Sequence, residues 1–252
     1  MVISNTSERQ REIARLLAED AKTSVSRLGE ILGVSAVTIR SDLNEMAELG
    51  VLVRTRGGGL PAFHPAILER LTRRKEEKTR IARAAAGMIE DGDEVMIIAG
   101  TTTASVPRFL LGKRDIKVVT NSSLMFPHAR VNPNLSLTVV GGEFRPASEA
   151  FVGPNTLRDL AQFHVSKAFL STDGFTLEKG ITANSVEIAE VVRKMAEQSR
   201  ERILLADSSK LGRIGFAHIM EADCIELLIT DSGIGDEEVS RFEEQGIRVV
   251  VV

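Results

Sequence analysis

Seven short apolar runs limit the fold of this chain more than any other feature of its sequence. From about Lys78 onwards these runs, rich in β-branched residues, alternate with segments of helical periodicity. The runs are 94–99, 116–120, 135–141, 167–172, 202–207, 225–230 and 247–252, and the helical segments include 78–90, 103–112, 184–199 and 236–245. Strands separated by helices are joined by crossovers, which produce parallel sheets covered on both faces. We therefore predict an α/β domain over residues 78–252, built on a largely parallel sheet.

The first 50 residues show a different pattern, that of three short helices with their caps. A side-chain oxygen at each predicted start can accept a bond from the first turn, and a glycine at a helix end tolerates the left-handed conformation. The caps are Ser7, with Gln10 completing a capping box, Ser24 and Ser35, and the stops are Gly33 and Gly50. Three capped helices with a short joint at Gly33 are typical of a helix-turn-helix domain.

The segment after Gly50, VLVRTRGGGLP, predicts a β-hairpin. Two sets of residues alternate over 51–56, Val51, Val53 and Thr55 against Leu52, Arg54 and Arg56, and three consecutive glycines permit a tight turn. A hairpin directly after such helices has the position of a wing. Residues 61–77 carry two prolines and a run of charges, which we interpret as a linker. The predicted organisation is a winged helix-turn-helix domain at 1–60, a linker at 61–77 and the α/β domain at 78–252.

The third predicted helix has an apolar face and a face of small and polar residues. The apolar face consists of Val34, Ile39, Leu43, Met46 and Ala47. A helix-turn-helix places the N-terminal half of this helix in the major groove, where small residues allow close approach and an arginine reaches guanine or phosphate. Arginines of the hairpin would meet the DNA backbone beside it. The predicted DNA-binding residues are Ser35, Ala36, Val37, Thr38, Arg40, Ser41, Arg54 and Arg56.

The charge distribution favours a nucleic-acid partner for the N-terminal head alone. The whole chain has a net charge of −3, which does not mark a nucleic-acid binder. Residues 1–80 carry 14 Lys and Arg against 11 Asp and Glu, a balance of +3 that leaves −6 for residues 81–252. A mildly basic head thus precedes an acidic body. A head that binds another protein is the alternative to one that binds DNA.

The head and the start of the body resemble DeoR-family bacterial transcription regulators. The stretches VSAVTIRSDL and VLVRTRGGG are similar to the winged helix-turn-helix signature of that family, V-S-x-x-T-I-R-R-D-L followed by R-x-H-G-G-A. The stretch KTRIARAAAGMIEDGDEV is similar to the opening of the family's sensor domain, so the resemblance extends over the whole chain. Ser41 stands where the family commonly has a second arginine, and Arg56 stands where it has a histidine. The first difference removes a contact to phosphate or base, and the second restores positive charge nearby.

The body has a predicted anion site at its Gly-Thr-Thr-Thr turn, which follows the first strand. Such a turn before a helix offers free N–H groups, hydroxyl donors and the positive end of a helix dipole, all of which suit a phosphate monoester. Other strands also end in small or polar residues, and open parallel sheets bind ligands at the carboxyl ends of their strands. A threonine-rich turn that only caps the helix is the alternative. We predict that Gly100, Thr101, Thr102 and Thr103 hold a phosphate beside Lys210, and that Asn121, Ser122, Glu143 and Asp173 bond sugar hydroxyls in a pocket that includes Gly142 and Gly174.

The resemblance implies what the body binds and what the chain does. The DeoR-family sensor resembles the ribose-5-phosphate isomerase type of fold, and its known ligands are mostly phosphorylated sugars; GTTT, TNS, GG, DG and DSSK match its pattern. It implies a repressor of an operon for carbohydrate uptake or catabolism, controlled by a phosphorylated sugar. A homodimer or homotetramer would read two half-sites of double-stranded operator DNA. The alternative is a phosphosugar isomerase or deaminase with an accessory N-terminal domain, although an enzyme has no use for a helix-turn-helix.

The remaining composition argues against several other classes of protein. The single cysteine, Cys224, cannot form a disulfide within the chain and lies in an apolar run typical of a packing residue. The four histidines lack the spacing of metal ligands, so we expect neither a metal nor a cofactor. No apolar run reaches the roughly 18 residues of a membrane span, and the polar start lacks the apolar region of a signal peptide. We therefore expect a soluble cytoplasmic protein that binds no membrane.

Overall fold

The computed structural model describes residues 6–252, which divide into two compact units. The head extends to Lys75 and includes Pro146–Ser148, and the body comprises Glu76–Arg145 and Glu149–Val252. None of the helices in this described part of the chain is long and apolar enough to span a membrane.

Capped helices and a hairpin build the head. Its elements are α1 (Glu8–Glu19), α2 (Val25–Leu32), α3 (Ala36–Glu48), β1 (Leu52–Thr55), β2 (Gly58–Pro61) and α4 (Pro65–Thr72). The predicted caps are confirmed, because the side chains of Ser7, Ser24 and Ser35 each accept a backbone N–H from the first turn of their helix. Gly33 ends α2 with a φ of 65°, which glycine adopts at low cost. The predicted helix-turn-helix and hairpin are therefore present.

The turn between α2 and α3 is tight because Gly29 carries no side chain. A Cβ at Gly29 would lie 2.8 Å from the carbonyl oxygen of Val34, closer than real Cβ atoms approach an oxygen. The predicted apolar face of α3 points into the core of the head: Ile39, Leu43 and Met46 are fully buried, and Val34 and Ala47 are half-buried. This packing fixes the outward direction of the opposite face of α3.

The segment interpreted as a linker contains an ordered helix of the head. α4 begins at Pro65 and buries Ile67, Leu68 and Leu71 in the same core as the first three helices. These three residues share one face at helical spacing, a signal that is obscured by the prolines and charges around them. The segment 65–72 is therefore part of the head and not a linker.

Parallel strands form the centre of the body. In chain order its elements are α5 (Lys75–Gly87), β3 (Glu94–Ile97), β4 (Ile116–Thr120), α6 (Phe126–Ala129), β5 (Leu135–Val139), β6 (Glu143–Arg145), β7 (Ala150–Val152), α7 (Pro154–Leu160), β8 (Val165–Leu170), β9 (Gly174–Thr176), β10 (Gly180–Ala183), α8 (Val186–Glu197), β11 (Ser199–Leu205), β12 (Ala217–Met220), β13 (Leu227–Thr230), α9 (Asp236–Glu244) and β14 (Arg248–Val251). The seven predicted strands form one sheet in the order β14-β13-β11-β8-β3-β4-β5, with every neighbouring pair parallel. The α/β fold class is thus confirmed.

The chain changes direction across this sheet between β3 and β8. From β3 it runs outward through β4 to β5, and it then returns to the other side of β3 and runs through β8, β11 and β13 to β14. The loops that follow β3 and β8 therefore leave neighbouring strands at their carboxyl ends. Open α/β sheets bind ligands at such a topological switch point.

Two parts of the body differ from the prediction. The helix predicted at 103–112 is a 3₁₀ helix over Thr103–Phe109, and it contains Pro107, which has no N–H to donate. The short antiparallel pairings of β6 with β7, and of β10 with β9 and β12, were not predicted. These strands have three or four residues each, too few for an alternating pattern to be recognised.

Candidate functional site

One face of α3 carries exposed side chains at helical spacing. Val37, Arg40, Ser41 and Asn44 are all exposed and lie within two turns of one another along the helix. The opposite face of α3 is buried in the head, so these four side chains form a surface row, which we call the α3 stripe. A helix-turn-helix presents this surface to the major groove of DNA.

Three other predicted DNA-binding residues lie at the start of the same helix, where Ser35 is the cap. The hydroxyl oxygen of Ser35 accepts the N–H of Thr38 at 3.1 Å, and the two hydroxyl oxygens are 2.9 Å apart. Ala36, the first residue of α3, is half-buried. These three residues shape the start of the helix, and the α3 stripe offers the side chains that extend from it.

The hairpin of β1 and β2 is held against the helix-turn-helix by its own turn. The N–H of Val25, the first residue of α2, donates to the carbonyl oxygen of Gly57 at 3.1 Å. Arg54 uses one guanidinium nitrogen to bond the carbonyl oxygen of Gly58 at 3.0 Å, while Arg56 lies exposed at the turn. The predicted wing therefore presents Arg56 at its tip and keeps Arg54 partly engaged within the hairpin.

In the body, the Gly-Thr-Thr-Thr turn lies at the switch point directly after β3. Thr103 is fully buried, and its hydroxyl donates to the carbonyl oxygen of Gly100 at 3.1 Å. A Cβ at Gly100 would lie 2.8 Å from that hydroxyl oxygen and 3.1 Å from the hydroxyl oxygen of Ser171. Across residues 6–252, the N–H groups of Thr101 and Thr102 have no hydrogen-bond acceptor. The turn thus holds two backbone donors without an acceptor, one of them on Thr102, a residue that is only 7% exposed.

The side chain of Asn121 ties this turn to two other segments. Its Oδ1 accepts the N–H of Ala99 at 2.8 Å, and its Nδ2 donates to the carbonyl oxygen of Phe151 at 2.9 Å. The neighbouring Ser122 is also fully buried, and its hydroxyl oxygen accepts the N–H of Leu124 at 3.3 Å. Both residues lie beside the turn, with their polar atoms bonded to the backbone.

Asp173 and Lys210 approach each other from the neighbouring strands β8 and β11. The Nζ of Lys210 lies 3.7 Å from Oδ1 of Asp173, and both side chains are 27% exposed. The other carboxylate oxygen of Asp173 accepts the N–H of Asn184 at 2.8 Å. At Gly174, a Cβ would lie 2.4 Å from the carbonyl oxygen of Arg213. The structure therefore places one cation and one anion at the same sheet edge as the threonine turn.

Gly142 and Glu143 lie after β5, further along this edge. Glu143 is 65% exposed at its side chain and pairs with Arg145 at 2.9 Å. Gly142 packs so closely on Thr156 that a Cβ would lie 2.1 Å from its hydroxyl oxygen. Within residues 6–252, no hydrogen bond or ion pair joins either residue to the threonine turn or to Lys210.

A buried carboxyl group adds to the electrostatics near the end of β4. Glu149 is 7% exposed, and burial raises the pKa of its carboxyl group, although a hydrogen bond from the Ser123 hydroxyl opposes this shift. Ser123 also donates its N–H to the carbonyl oxygen of Glu149 at 3.1 Å. In the described part of the chain, no cluster of His, Cys, Asp and Glu is arranged to hold a metal ion.

Two residues of these surfaces were missing from the predicted set. Asn44 completes the α3 stripe; the helical period already places it on the polar face of the third helix, although it is not among the predicted DNA-binding residues. Ser171 donates its hydroxyl to the carbonyl oxygen of Ala99 at 3.4 Å and so joins the ends of β8 and β3. It lies inside a predicted strand run, which hid its position at the sheet edge.

The comparison with family models decides what kind of chain this is. The model of the DeoR C-terminal sensor domain matches residues 73–232, more than half of the chain, and the model of the DeoR-like helix-turn-helix domain matches residues 9–60. The chain belongs to the DeoR family. The expected family is thereby confirmed for both the head and the body.

The sequence of this DeoR-family protein is similar to the sequences of named regulators over nearly its whole length. It is 33% identical over 248 residues to the HTH-type transcriptional repressor GlcR of Bacillus subtilis, covering 97% of this chain and 95% of that protein. It is 31% identical over 251 residues to the HTH-type transcriptional regulator GolR of Listeria innocua, covering 97% and 98%. It is 29% identical over 256 residues to a putative aga operon transcriptional repressor of Escherichia coli O157:H7, covering 99% and 95%. The protein is therefore a DNA-binding transcriptional regulator of the DeoR family, and not an enzyme.

Similarity to solved structures is more distant. Ribose 5-phosphate isomerase A of Methanocaldococcus jannaschii aligns with a TM-score of 0.39 and 16% identity over 54% of each chain. The probable sor operon regulator of Shigella flexneri aligns with a TM-score of 0.43 and 12% identity over 68% of this chain and 88% of that chain.

Proposed function

We propose that this DeoR-family protein represses an operon for carbohydrate uptake or breakdown, and that a phosphorylated sugar bound in the body controls its hold on operator DNA. The α3 stripe would read base edges in the major groove, while Arg54 and Arg56 would contact the DNA backbone. Two of the relatives are named transcriptional repressors, and one of these is named for an operon. These names support repression as the mode of regulation.

The two free N–H groups of Thr101 and Thr102 carry the effector part of the proposal. They lie at the switch point, where a phosphate monoester could accept both bonds. The 3₁₀ helix that follows has only seven residues, so the amides themselves, and not a long helix dipole, would hold the anion. Lys210 would add a point charge, and Asp173 would accept a sugar hydroxyl.

The other predicted effector residues would support this pocket from behind. Thr103, Asn121 and Ser122 are fully buried and bonded to the backbone, so we assign them the task of holding the turn in shape. Gly100, Gly142 and Gly174 would allow the segments around the pocket to pack closely, because a Cβ at each of them would collide with a neighbouring atom. The exposed Glu143 would meet the ligand only at the rim of the site.

Control would follow from linkage between the two binding events. A sugar phosphate that binds the DNA-bound and free states with different affinities changes the affinity for DNA by the same factor. We also propose a homodimer or homotetramer in the cytoplasm, because paired heads can read the two half-sites of an operator. Sedimentation of the protein on duplexes with one or two half-sites would measure the number of chains bound.

One titration tests both parts of the proposal. Full-length protein is titrated onto a fluorescent duplex of its own gene's upstream region, with and without a panel of sugar phosphates and the matching free sugars. We expect at least one sugar phosphate, and no free sugar, to change the DNA affinity. The variant Lys210→Ala should bind the duplex normally and lose this response.

The outcomes separate the two parts. Failure to bind the upstream duplex at low salt would contradict the proposal that the protein regulates transcription from this region. Binding that no sugar phosphate changes would contradict the proposal that a sugar phosphate is the effector. Turnover of a sugar phosphate by the purified protein would contradict a purely sensory body.

A further inference from the structure

Val37 stands on the α3 stripe without any apolar cover. Its surface is 72% exposed, and the stripe side chains one turn further along the helix are those of Arg40 and Ser41. Burying such a side chain against an apolar group is favourable, by about 0.8 kcal/mol for each methylene removed from water. A valine in this place therefore gains most from a partner that offers it an apolar surface.

The exposed apolar residues of the hairpin, unlike Val37, have an apolar neighbour on the same face. Val53 is 59% exposed and Leu60 is 45% exposed, but the two are directly opposite each other in the register of β1 and β2. Cross-strand neighbours on one face contact each other, so each covers part of the other. No comparable neighbour follows Val37 along α3.

The chemistry of valine restricts what it can touch in DNA. Its side chain has neither donor nor acceptor, so it gains nothing from a phosphate oxygen or from the polar edge of a base. In the major groove, thymine presents a C5-methyl group, which the other three bases lack. The neighbouring Ala36 and Ser41 are small and allow the helix backbone to approach the base edges.

We propose that Val37 packs on the C5-methyl group of a thymine and selects that base at one position of each operator half-site. This inference rests on the proposed reading of DNA by the α3 stripe. It assigns Val37 the role of a specificity residue, distinct from the hydrogen-bonding roles open to Arg40 and Asn44. Loss of one methyl contact should weaken binding about fourfold at each half-site.

The test removes the methyl group from the DNA and the side chain from the protein. Operator sequences are first selected from a library of random duplexes with the full-length protein. Each thymine of the selected duplex is then replaced singly by deoxyuridine, which lacks only the C5-methyl group. The wild-type protein, Val37→Ala and the control Val131→Ala are titrated onto every duplex, since Val131 is an equally aliphatic side chain of the body with 65% exposure.

We expect one thymine in each half-site at which deoxyuridine weakens wild-type and Val131→Ala binding about fourfold. For Val37→Ala, the same replacement should change the affinity less than about twofold. Equal sensitivity of Val37→Ala and the wild type, or insensitivity of the wild type at every thymine, would overturn the assignment while leaving sequence-specific binding intact. Failure to select any sequence would overturn the DNA-reading proposal itself, and this inference with it.

Discussion

Arg9 and Asp42 form a doubly bonded ion pair that joins the first helix of the head to the helix carrying the α3 stripe. Nε of Arg9 lies 2.6 Å from Oδ2 of Asp42, and Nη2 lies 3.0 Å from Oδ1. The Asp42 side chain is 6% exposed, and its hydrogen bond raises the pKa of the Arg9 guanidinium. Because both partners are planar, this pair fixes the rotation of α3 as well as its distance from α1.

We expect Asp42→Asn to lower both the melting temperature of the head and its affinity for DNA. The substitution removes the charge that Arg9 pairs with and leaves a buried amide that cannot reproduce two charge-assisted bonds. Thermal unfolding followed by circular dichroism, together with a DNA titration, checks this. Arg15→Ala is the control, since Arg15 bonds the exposed Glu12 and Glu19 on the surface of α1. A melting temperature unchanged by Asp42→Asn would show that the apolar core alone orients α3.

Gly174→Ala should destabilise the body by about 1–3 kcal/mol, as overpacking typically does. The added Cβ would meet the backbone of Arg213 at 2.4 Å, and a backbone atom cannot rotate away as a side chain would. Urea unfolding at neutral pH measures the effect. In Gly87→Ala the new methyl group meets no atom within 4 Å at the end of α5, so this control should be neutral or slightly stabilising. Equal effects of the two substitutions would contradict the steric argument.

Glu149→Gln should raise the free energy of unfolding at pH 7. Burial raises the pKa of the Glu149 carboxyl group above its value in the unfolded chain. The native state is therefore most stable at low pH, where the carboxyl group is protonated, and it loses this stability as the pH rises through the folded pKa and the buried group becomes charged. The glutamine side chain carries no charge to bury. The gain should disappear at about pH 3, well below the ordinary pKa of a glutamate, where the carboxyl group is protonated in both states. Urea unfolding at both pH values measures the gain, and Glu90→Gln, at an exposed position, is the control. A gain in stability that does not depend on pH would contradict this explanation.

The imidazole of His128 should make the free energy of unfolding fall as the pH is lowered, which is the opposite of the effect of Glu149. Burial lowers the pKa of its imidazole to about 4, with nearby Arg108 adding to the shift. The unfolded chain therefore takes up a proton near pH 6.5 while the native state does not, and stability falls between about pH 6.5 and 4. In His128→Gln this part of the decline should be missing. A stability curve that declines equally in the variant would assign the acid sensitivity to other groups.

Arg40→Ala should weaken the preference for the selected operator over unrelated DNA. Arg40 is exposed on the α3 stripe, where a guanidinium reaches guanine or phosphate. Affinity measured over a series of salt concentrations distinguishes the two, because only a lost phosphate contact lowers the salt slope, by about one unit. Arg200→Ala, at an exposed position of β11, is the matched control and should leave both quantities unchanged.

Local signals explain what the sequence could predict. The seven strands and the capped helices follow from the period of apolar residues and from caps such as Ser24 with Gly33, which lie within a few residues of the elements they define. The bonds that shape the sites join distant segments. Asn121 bonds Ala99 and Phe151, 22 and 30 residues away, and Arg9 bonds Asp42, 33 residues away. Nothing in one sequence marks these pairs, so the positions of polar residues were predictable and their partners were not.

The Asn121 amide also has a mechanical consequence. The side chain of this residue joins the backbone before the threonine turn to β7, and the backbone carbonyl oxygen of Asn121 also accepts the N–H of Phe151 at 2.8 Å, so three stretches of chain meet at one residue. A ligand held at Thr101 would therefore lie two residues from a bond that reaches Phe151 through this one side chain. In Asn121→Ala the backbone bond between β4 and β7 would remain, while the N–H of Ala99 would lose its acceptor, so the threonine turn alone would be released from this junction.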